Sequence, residues 1–223
     1  MKNLVSLLFT VLLPAMLAAQ CITIDKDGYT NIREKPDGKS TIVGKVHKYQ
    51  VFHPVKDICM SDGGEKSTAN WEYITTDYID PIGYIYKKHL MNLEDMPMIK
   101  DADEENNDGN RFRIVCQNDS IKVLLIAKAF DKNTRVAGQR VYGVDGWEPA
   151  RQLDKIEITY NTKKYSLSTK EFKRYCDPNF MYVRIGTEGE LYINISGGDG
   201  SGGYGVWLSV LNGEVLYSIV EEC

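Results

Sequence analysis

Histidine is scarce in this chain. His47, His53 and His89 are the only three among 223 residues, and none follows His89. Over the whole C-terminal half a Cys–His or Ser–His nucleophile pair therefore has no imidazole to use. A histidine-based zinc site is excluded there for the same reason. Cysteine is limited to Cys21, Cys59, Cys116, Cys176 and Cys223, without a CxxC pair or other metal-ligand spacing. Positive charge is not in excess either: 27 Lys and Arg face 31 Asp and Glu, for a formal net charge of −4. Nucleic acid requires a basic surface that this balance does not supply. No apolar run reaches the roughly 20 residues that a membrane span needs, and no motif calls for a cofactor.

The longest apolar run stands at the start. Lys2 supplies a positive charge, and residues 4–13 form an apolar core of signal-peptide length. Pro14 ends it, and Ala15, Ala18 and Ala19 supply small residues for cleavage. Residues 1–19 are thus expected to be a signal peptide, and the protein to be exported: periplasmic, secreted, or anchored as a lipoprotein. Ala19-Gln20 suits ordinary cleavage. Cys21 is the lipidation candidate, although a lipoprotein box has Gly, Ala or Ser where Gln20 stands. Export places the cysteines in an oxidising compartment, so all five are disulfide candidates. A Cys21–Cys59 bridge would stay within the first domain, and at most two of Cys116, Cys176 and Cys223 can pair with each other.

Beyond the leader the pattern is that of an all-β protein. Nineteen Gly and 14 Tyr combine turn formers with β-favouring aromatics. Short strands are expected at Gly28 to Arg33, Ile42 to Val46, Gln50 to Val55, Trp71 to Thr75 and Gly83 to Tyr86. Ile32, Val43, Val51, Ile74 and Ile85 are the expected inward residues. Residues 94–110 are acidic and lack periodicity, and read as a linker or long loop.

Residues 111–223 alternate more clearly and read as an antiparallel sandwich or barrel of about seven strands. Ile121 to Phe130 is nearly all apolar and is expected as a central strand buried on both faces. Asn212-Gly213 predicts a tight hairpin turn, because both central residues need positive φ. Ser168 to Tyr175 is the one expected short helix, capped by Ser168 or Thr169 and stopped by Asp177-Pro178.

Four segments in order give the N-terminal part a family likeness: Asn31-Ile32-Arg33-Glu34-Lys35-Pro36, Ile42-Val43-Gly44-Lys45-Val46, Trp71-Glu72-Tyr73-Ile74, and Gly83-Tyr84-Ile85-Tyr86-Lys87-Lys88-His89-Leu90. Together they make residues 28–93 resemble a bacterial SH3 (SH3b) domain. Two departures stand out: Tyr49 replaces a usual turn Gly, and an insertion at about Lys56 to Asn70 lengthens the loop before the Trp strand. The resemblance implies a small SH3-like barrel over residues 20–93 and a module that binds cell-wall peptides or targets a wall hydrolase. No family likeness is found for residues 111–223.

The ligand-binding candidates follow from side-chain chemistry. Trp71, Tyr73, Tyr84 and Tyr86 can build an aromatic groove, since aromatics offer large, stiff contact faces. Strand alternation would turn two of these four inward. Trp147 lies in a loop, Val144 to Pro149, and Asp199 in a glycine-rich run from Ser196 to Gly205. That run lacks the Lys-Ser/Thr and following helix of a P-loop and reads as a hairpin loop able to act in recognition. Carboxylates are common enough to include an acid–base pair, and Asp145, Glu148, Glu188, Glu190 and Asp199 all sit near turns.

These readings lead to a non-enzymatic binding protein of the bacterial envelope, with a cell-wall peptide or glycan as ligand. A carboxylate-dependent wall hydrolase is the enzymatic alternative. An inhibitor or immunity protein acting on a secreted enzyme is the third.

Overall fold

The computed structural model describes residues 20–52, 54, 67–76, 79–99, 102–107, 111–134, 139–198 and 200–222. Residues 1–19, where a signal peptide is expected, lie outside the described residues, as do His53, Cys59, Asp199, Cys223 and most of the insertion before the Trp strand. The protein is all-β: helical turns are 3-10 segments of three to five residues, and among the described residues no helix is long and apolar enough to cross a membrane.

The N-terminal body contains β1 (Cys21–Thr23), β2 (Tyr29–Arg33), β3 (Ile42–His47), β4 (Trp71–Thr76), β5 (Ile79–Tyr86) and β6 (Leu90–Asn92). Four of them form an antiparallel sheet in the order β3-β2-β5-β4, and β1 pairs with β6. Their core is Cys21, Ile32, Val46, Phe52, Ile74 and Ile85, with Val43 half-buried against it. Ile32, Ile74 and Ile85 are thus inward, as alternation requires. The expected strand from Gln50 to Val55 is reduced, among its described residues, to one bridge between Phe52 and Cys21. Val51 is buried elsewhere, as described below.

The acidic stretch is not simply a linker. It contains a 3-10 turn, Leu93–Asp95, and the strands β7 (Met98–Ile99) and β8 (Ala102–Asn107). β7 pairs with one sheet of the C-terminal body and β8 with the other. Both are edge strands, held by main-chain pairing, so they need no apolar alternation beyond Ile99, which is buried.

The C-terminal body adds β9 (Arg111–Gln117), β10 (Ile121–Ala129), β11 (Arg151–Tyr160), β12 (Lys163–Leu167), β13 (Pro178–Ile185), β14 (Leu191–Gly197), β15 (Tyr204–Leu211) and β16 (Glu214–Glu222). Two five-stranded antiparallel sheets result, in the orders β12-β11-β10-β9-β8 and β16-β15-β14-β13-β7. Alternate residues of each point into one shared core, among them Val123, Leu125, Ile156, Val183, Ile193, Val206 and Leu208. β10 is central as expected, but it is not buried on both faces: Lys122 is exposed and Leu124 and Lys128 are half-exposed. Asn212 (φ 52°) and Gly213 (φ 81°) both adopt the left-handed conformation between β15 and β16, the geometry of a type I′ hairpin. The expected helix is a 3-10 segment, Lys170–Arg174, without a side-chain cap. Ser168 instead donates its hydroxyl to the Asp154 carbonyl.

The second sheet is apolar on its outer face as well. Tyr192, Trp207 and Ile219 point away from the sandwich core and are buried with Ile22, Val51, Leu93 and Met96 of the N-terminal part. Val51 therefore joins the two bodies rather than filling the first. Polar contacts surround this patch. Ser209 Oγ donates to the Tyr49 carbonyl, and Arg184 Nη1 donates to the carbonyls of Glu94 and Met96, both at 3.0 Å. Lys48 Nζ meets Glu188 Oε1 at 2.5 Å, and the Tyr49 hydroxyl donates to Glu188 Oε2 at 2.7 Å. Tyr49 adopts φ 68°, the left-handed region that a glycine would occupy without cost. That conformation places its carbonyl on Ser209 and its hydroxyl on Glu188.

Hydrogen bonds from Lys48 and Tyr49 hold the Glu188 carboxyl below its usual range, while the bonds to Glu188 raise Lys48 and Tyr49. A carboxylate with a lowered folded-state pKa stabilises the fold above its ordinary pKa and loses that contribution as pH falls through the folded value. The raised Lys48 and Tyr49 contribute below their ordinary values and lose that contribution as pH rises past their folded ones. The latch is thus complete from above the ordinary carboxylate range to below the ordinary tyrosine range. Thermal unfolding should show stability falling on the acid side in the wild type, with a shallower acid limb in Glu188→Gln. Identical limbs would mean that the latch does not couple to folding.

Candidate functional site

The β4–β5 register sets Trp71 opposite Tyr86 and Tyr73 opposite Tyr84. Residues two apart on a strand share a face, so all four aromatics lie on one face, and Ile74 and Ile85 take the core positions. The expectation that two of the four would point inward is corrected on this ground. The rings pair across the strands at 5.2 Å for Trp71–Tyr86 and 5.0 Å for Tyr73–Tyr84. Tyr84 is nonetheless covered, at 4% exposed, while Trp71, Tyr73 and Tyr86 are half-exposed.

Trp71 and Tyr86 form one wall of a cleft of 310 Å³ that is completed by Asp25, Thr30, Asn31, Arg33, Gly38 and His89. Its size is at the lower end for small-molecule sites. His89 packs 5.7 Å from Tyr86, and its Nδ1 meets Asp25 Oδ2 at 3.0 Å. Arg33 is held by the Ser40 carbonyl at 2.6 Å. Asn31 Oδ1 is buried without a hydrogen-bond partner. A buried acceptor in that condition costs free energy until a donor meets it. Lys88 lies over the Tyr86 ring at 5.2 Å. Sequence reasoning found the aromatic wall but not Asp25, Asn31 or His89. Lys87-Lys88-His89, directly after the closing strand, was the available signal for the last of these.

At one end of the sandwich two loops from distant parts of the sequence meet. Ser201 donates its hydroxyl to Asp145 Oδ1 at 2.7 Å, and Gly143 N–H donates to the Gly202 carbonyl at 3.1 Å. This joins the Trp147 loop to the glycine-rich hairpin. Glycine is needed where they touch: a Cβ at Gly198 would collide with Gly143 Cα, and one at Gly202 with the Val144 main chain. Gly143 itself has φ 81°, and a Cβ there would collide with the Cys176 carbonyl beneath. Beneath the loops Tyr142, Tyr175 and Tyr204 stack, with Tyr175–Tyr204 centroids 5.8 Å apart. Burial pushes the Tyr175 hydroxyl up to about 12 and also raises that of Tyr204. Trp147 itself is 84% exposed, so it is not packed under its loop.

The cysteines do not pair among the described residues. Cys21, Cys116 and Cys176 are buried, and no disulfide links any two of them. Cys21 Sγ donates to Asn92 Oδ1 at 3.1 Å and Cys116 Sγ to the Met181 carbonyl at 3.3 Å. Cys116 lies in the sandwich core and behaves as a small hydrophobe. Of the carboxylates, Asp145 is engaged by Ser201 and Glu188 by Lys48 and Tyr49. Buried Glu190 accepts the Glu188 N–H at 2.9 Å and the Tyr192 hydroxyl at 3.4 Å. Among the described residues no three of His, Cys, Asp or Glu are grouped to hold a metal ion.

Fold and clefts together define an all-β protein of two packed bodies, with one aromatic-walled cleft in the first and one exposed-tryptophan loop on the second. No family model matches the chain, and neither does any curated protein or solved structure.

Gly143→Ala should destabilise the protein by about 2 kcal/mol, since it combines an unfavourable φ with a main-chain collision. Urea unfolding measures this, and an unchanged midpoint would show that the fold does not need the close approach of residue 143 to the Cys176 carbonyl.

Proposed function

We propose that this is an exported, non-enzymatic binding protein of the bacterial cell envelope. Its N-terminal SH3b-like module holds a wall peptide or glycan in the cleft of Trp71, Tyr86 and His89. One observation carries this reading: half-exposed aromatic faces stand beside a buried Asn31 oxygen that has no donor. Peptide and N-acetyl amides supply an N–H, and glycans supply hydroxyls, so either ligand can satisfy that oxygen. Sugar rings and small aliphatic side chains pack on aromatic faces. The sandwich supplies a rigid support and, through Trp147, a further contact. A carboxylate-dependent hydrolase would call for a carboxyl raised toward neutrality, whereas Glu188 is lowered.

A secreted protein as partner is favoured by a different feature. Trp147 is a large, nearly fully exposed aromatic on a braced loop, and such residues act as anchors in protein interfaces.

Sedimentation with purified cell-wall sacculi separates the two. Trp71→Ala should weaken retention by at least about tenfold, the usual cost of removing an aromatic anchor. Trp147→Ala should change it less. Equal retention of wild type and Trp71→Ala would overturn the cleft assignment, and loss with Trp147→Ala alone would move the site to the sandwich loops.

A further inference from the structure

The ionisable side chains that line the Trp71–Tyr86 cleft are Asp25, Arg33 and His89, together with the Tyr86 phenol itself. Asp25 is the only carboxylate among them, and both of its oxygens are engaged. Its Oδ2 meets His89 Nδ1 at 3.0 Å, and its Oδ1 accepts the Asp27 N–H at 3.2 Å. Arg33 is in a different condition. Its Nη1 donates to the Ser40 carbonyl at 2.6 Å, and among the described residues its guanidinium has no other hydrogen bond and no ion pair. A guanidinium presents a planar fork of N–H donors that matches a carboxylate. Most of that fork is unused in Arg33, although the side chain is half-buried and fixed by Ser40.

Strand β2 sets Arg33 beside Asn31. Ile32 between them is fully buried in the core, so Asn31 and Arg33 share the opposite face, about 7 Å apart along the strand. Arg33 is also the residue of β2 that pairs with β5, opposite Tyr84, which brings this face next to the aromatic wall. An unused cationic donor and the unpartnered Asn31 oxygen thus line one cleft with Trp71 and Tyr86. Lys88, over the Tyr86 ring at 5.2 Å, adds a second positive charge. A neutral glycan satisfies Asn31 through a hydroxyl but brings no anion to Arg33. The C-terminal end of a peptide offers both complements within a short span: a carboxylate to accept from the guanidinium, and a main-chain N–H to donate.

We propose that the cleft, taken as the ligand site assigned above, captures the free C-terminal carboxylate of a peptide, with Arg33 as the residue that selects it. The guanidinium donates to the carboxylate, a peptide N–H donates to Asn31 Oδ1, and the last side chain packs on Trp71 and Tyr86. Capture of a terminal carboxylate is a recurring mode of peptide recognition. A charge-assisted bond in a half-buried site is stronger than a neutral one, so the carboxylate decides which peptides are held.

Proton–nitrogen NMR of the full chain tests this through the Trp71 indole N–H signal, identified by its loss in Trp71→Phe. The probes are N-acetyl-alanyl-alanine, the same dipeptide amidated at its C-terminus, and N,N′-diacetylchitobiose. The free acid should bind at least about tenfold more tightly than the amide. Arg33→Gln should remove that preference and leave binding of the amide unchanged. Equal binding of acid and amide, tighter binding of the amide, or a preference that survives in Arg33→Gln overturns the carboxylate assignment and leaves the cleft as a ligand site. A Trp71 shift with chitobiose alone does the same. No Trp71 shift with any probe, or shifts confined to Trp147, overturns the cleft itself. The comparison of acid with amide uses the wild-type chain, so it decides the matter even where Arg33→Gln lowers stability.

Discussion

The arrangement of this protein depends on one sheet that is apolar on both faces. Antiparallel sheets commonly bury one face and leave the other to solvent. The β16-β15-β14-β13-β7 sheet sends Ile193, Val206 and Leu208 into the sandwich core and Tyr192, Trp207 and Ile219 outward. The outward set must be removed from water, and Ile22, Val51, Leu93 and Met96 do so. The N-terminal body is therefore not a bead on a string. Hydrophobic burial holds it against the sandwich, and the acidic stretch that connects them is drawn into both sheets as β7 and β8.

That contact explains a local oddity. Tyr49 stands in a left-handed turn that suits glycine, at a conformational cost of about 1 kcal/mol. Glycine there would relieve the strain but could not reach Glu188. The tyrosine links turn and sandwich through both its hydroxyl and its carbonyl. The same contact forms one wall of a cleft along β16, because Gln50 and Val51 follow directly after the turn. Close approach elsewhere is achieved in the opposite way, by removing side chains: Gly198 and Gly202 let the Trp147 loop and the glycine-rich hairpin touch main chain to main chain.

The candidate sites share one logic, in which stiff aromatic faces are fixed by strand pairing or braced loops. Trp71 and Tyr86 are held by opposing positions in the β4–β5 ladder. Trp147 sits on a loop that Asp145 and Ser201 tie to its neighbour. Such placement lowers the entropy lost on binding, since little of the contact surface has to be ordered by the ligand.

Short-range chemistry determined much of this protein from sequence alone. Alternation placed Ile32, Ile74 and Ile85 inside, and Asn212-Gly213 set a hairpin because its φ requirement is local. The aromatic wall was legible too, although its facing was misjudged: positions two apart cannot diverge on a strand. What only tertiary structure decided were the relations between distant segments. Val51 turned toward another body, Asp25 and His89 met at 3.0 Å, and Met98–Ile99 and Ala102–Asn107 became edge strands. Each of these depends on a partner far away in the sequence, and neither periodicity nor turn propensity encodes where that partner will be.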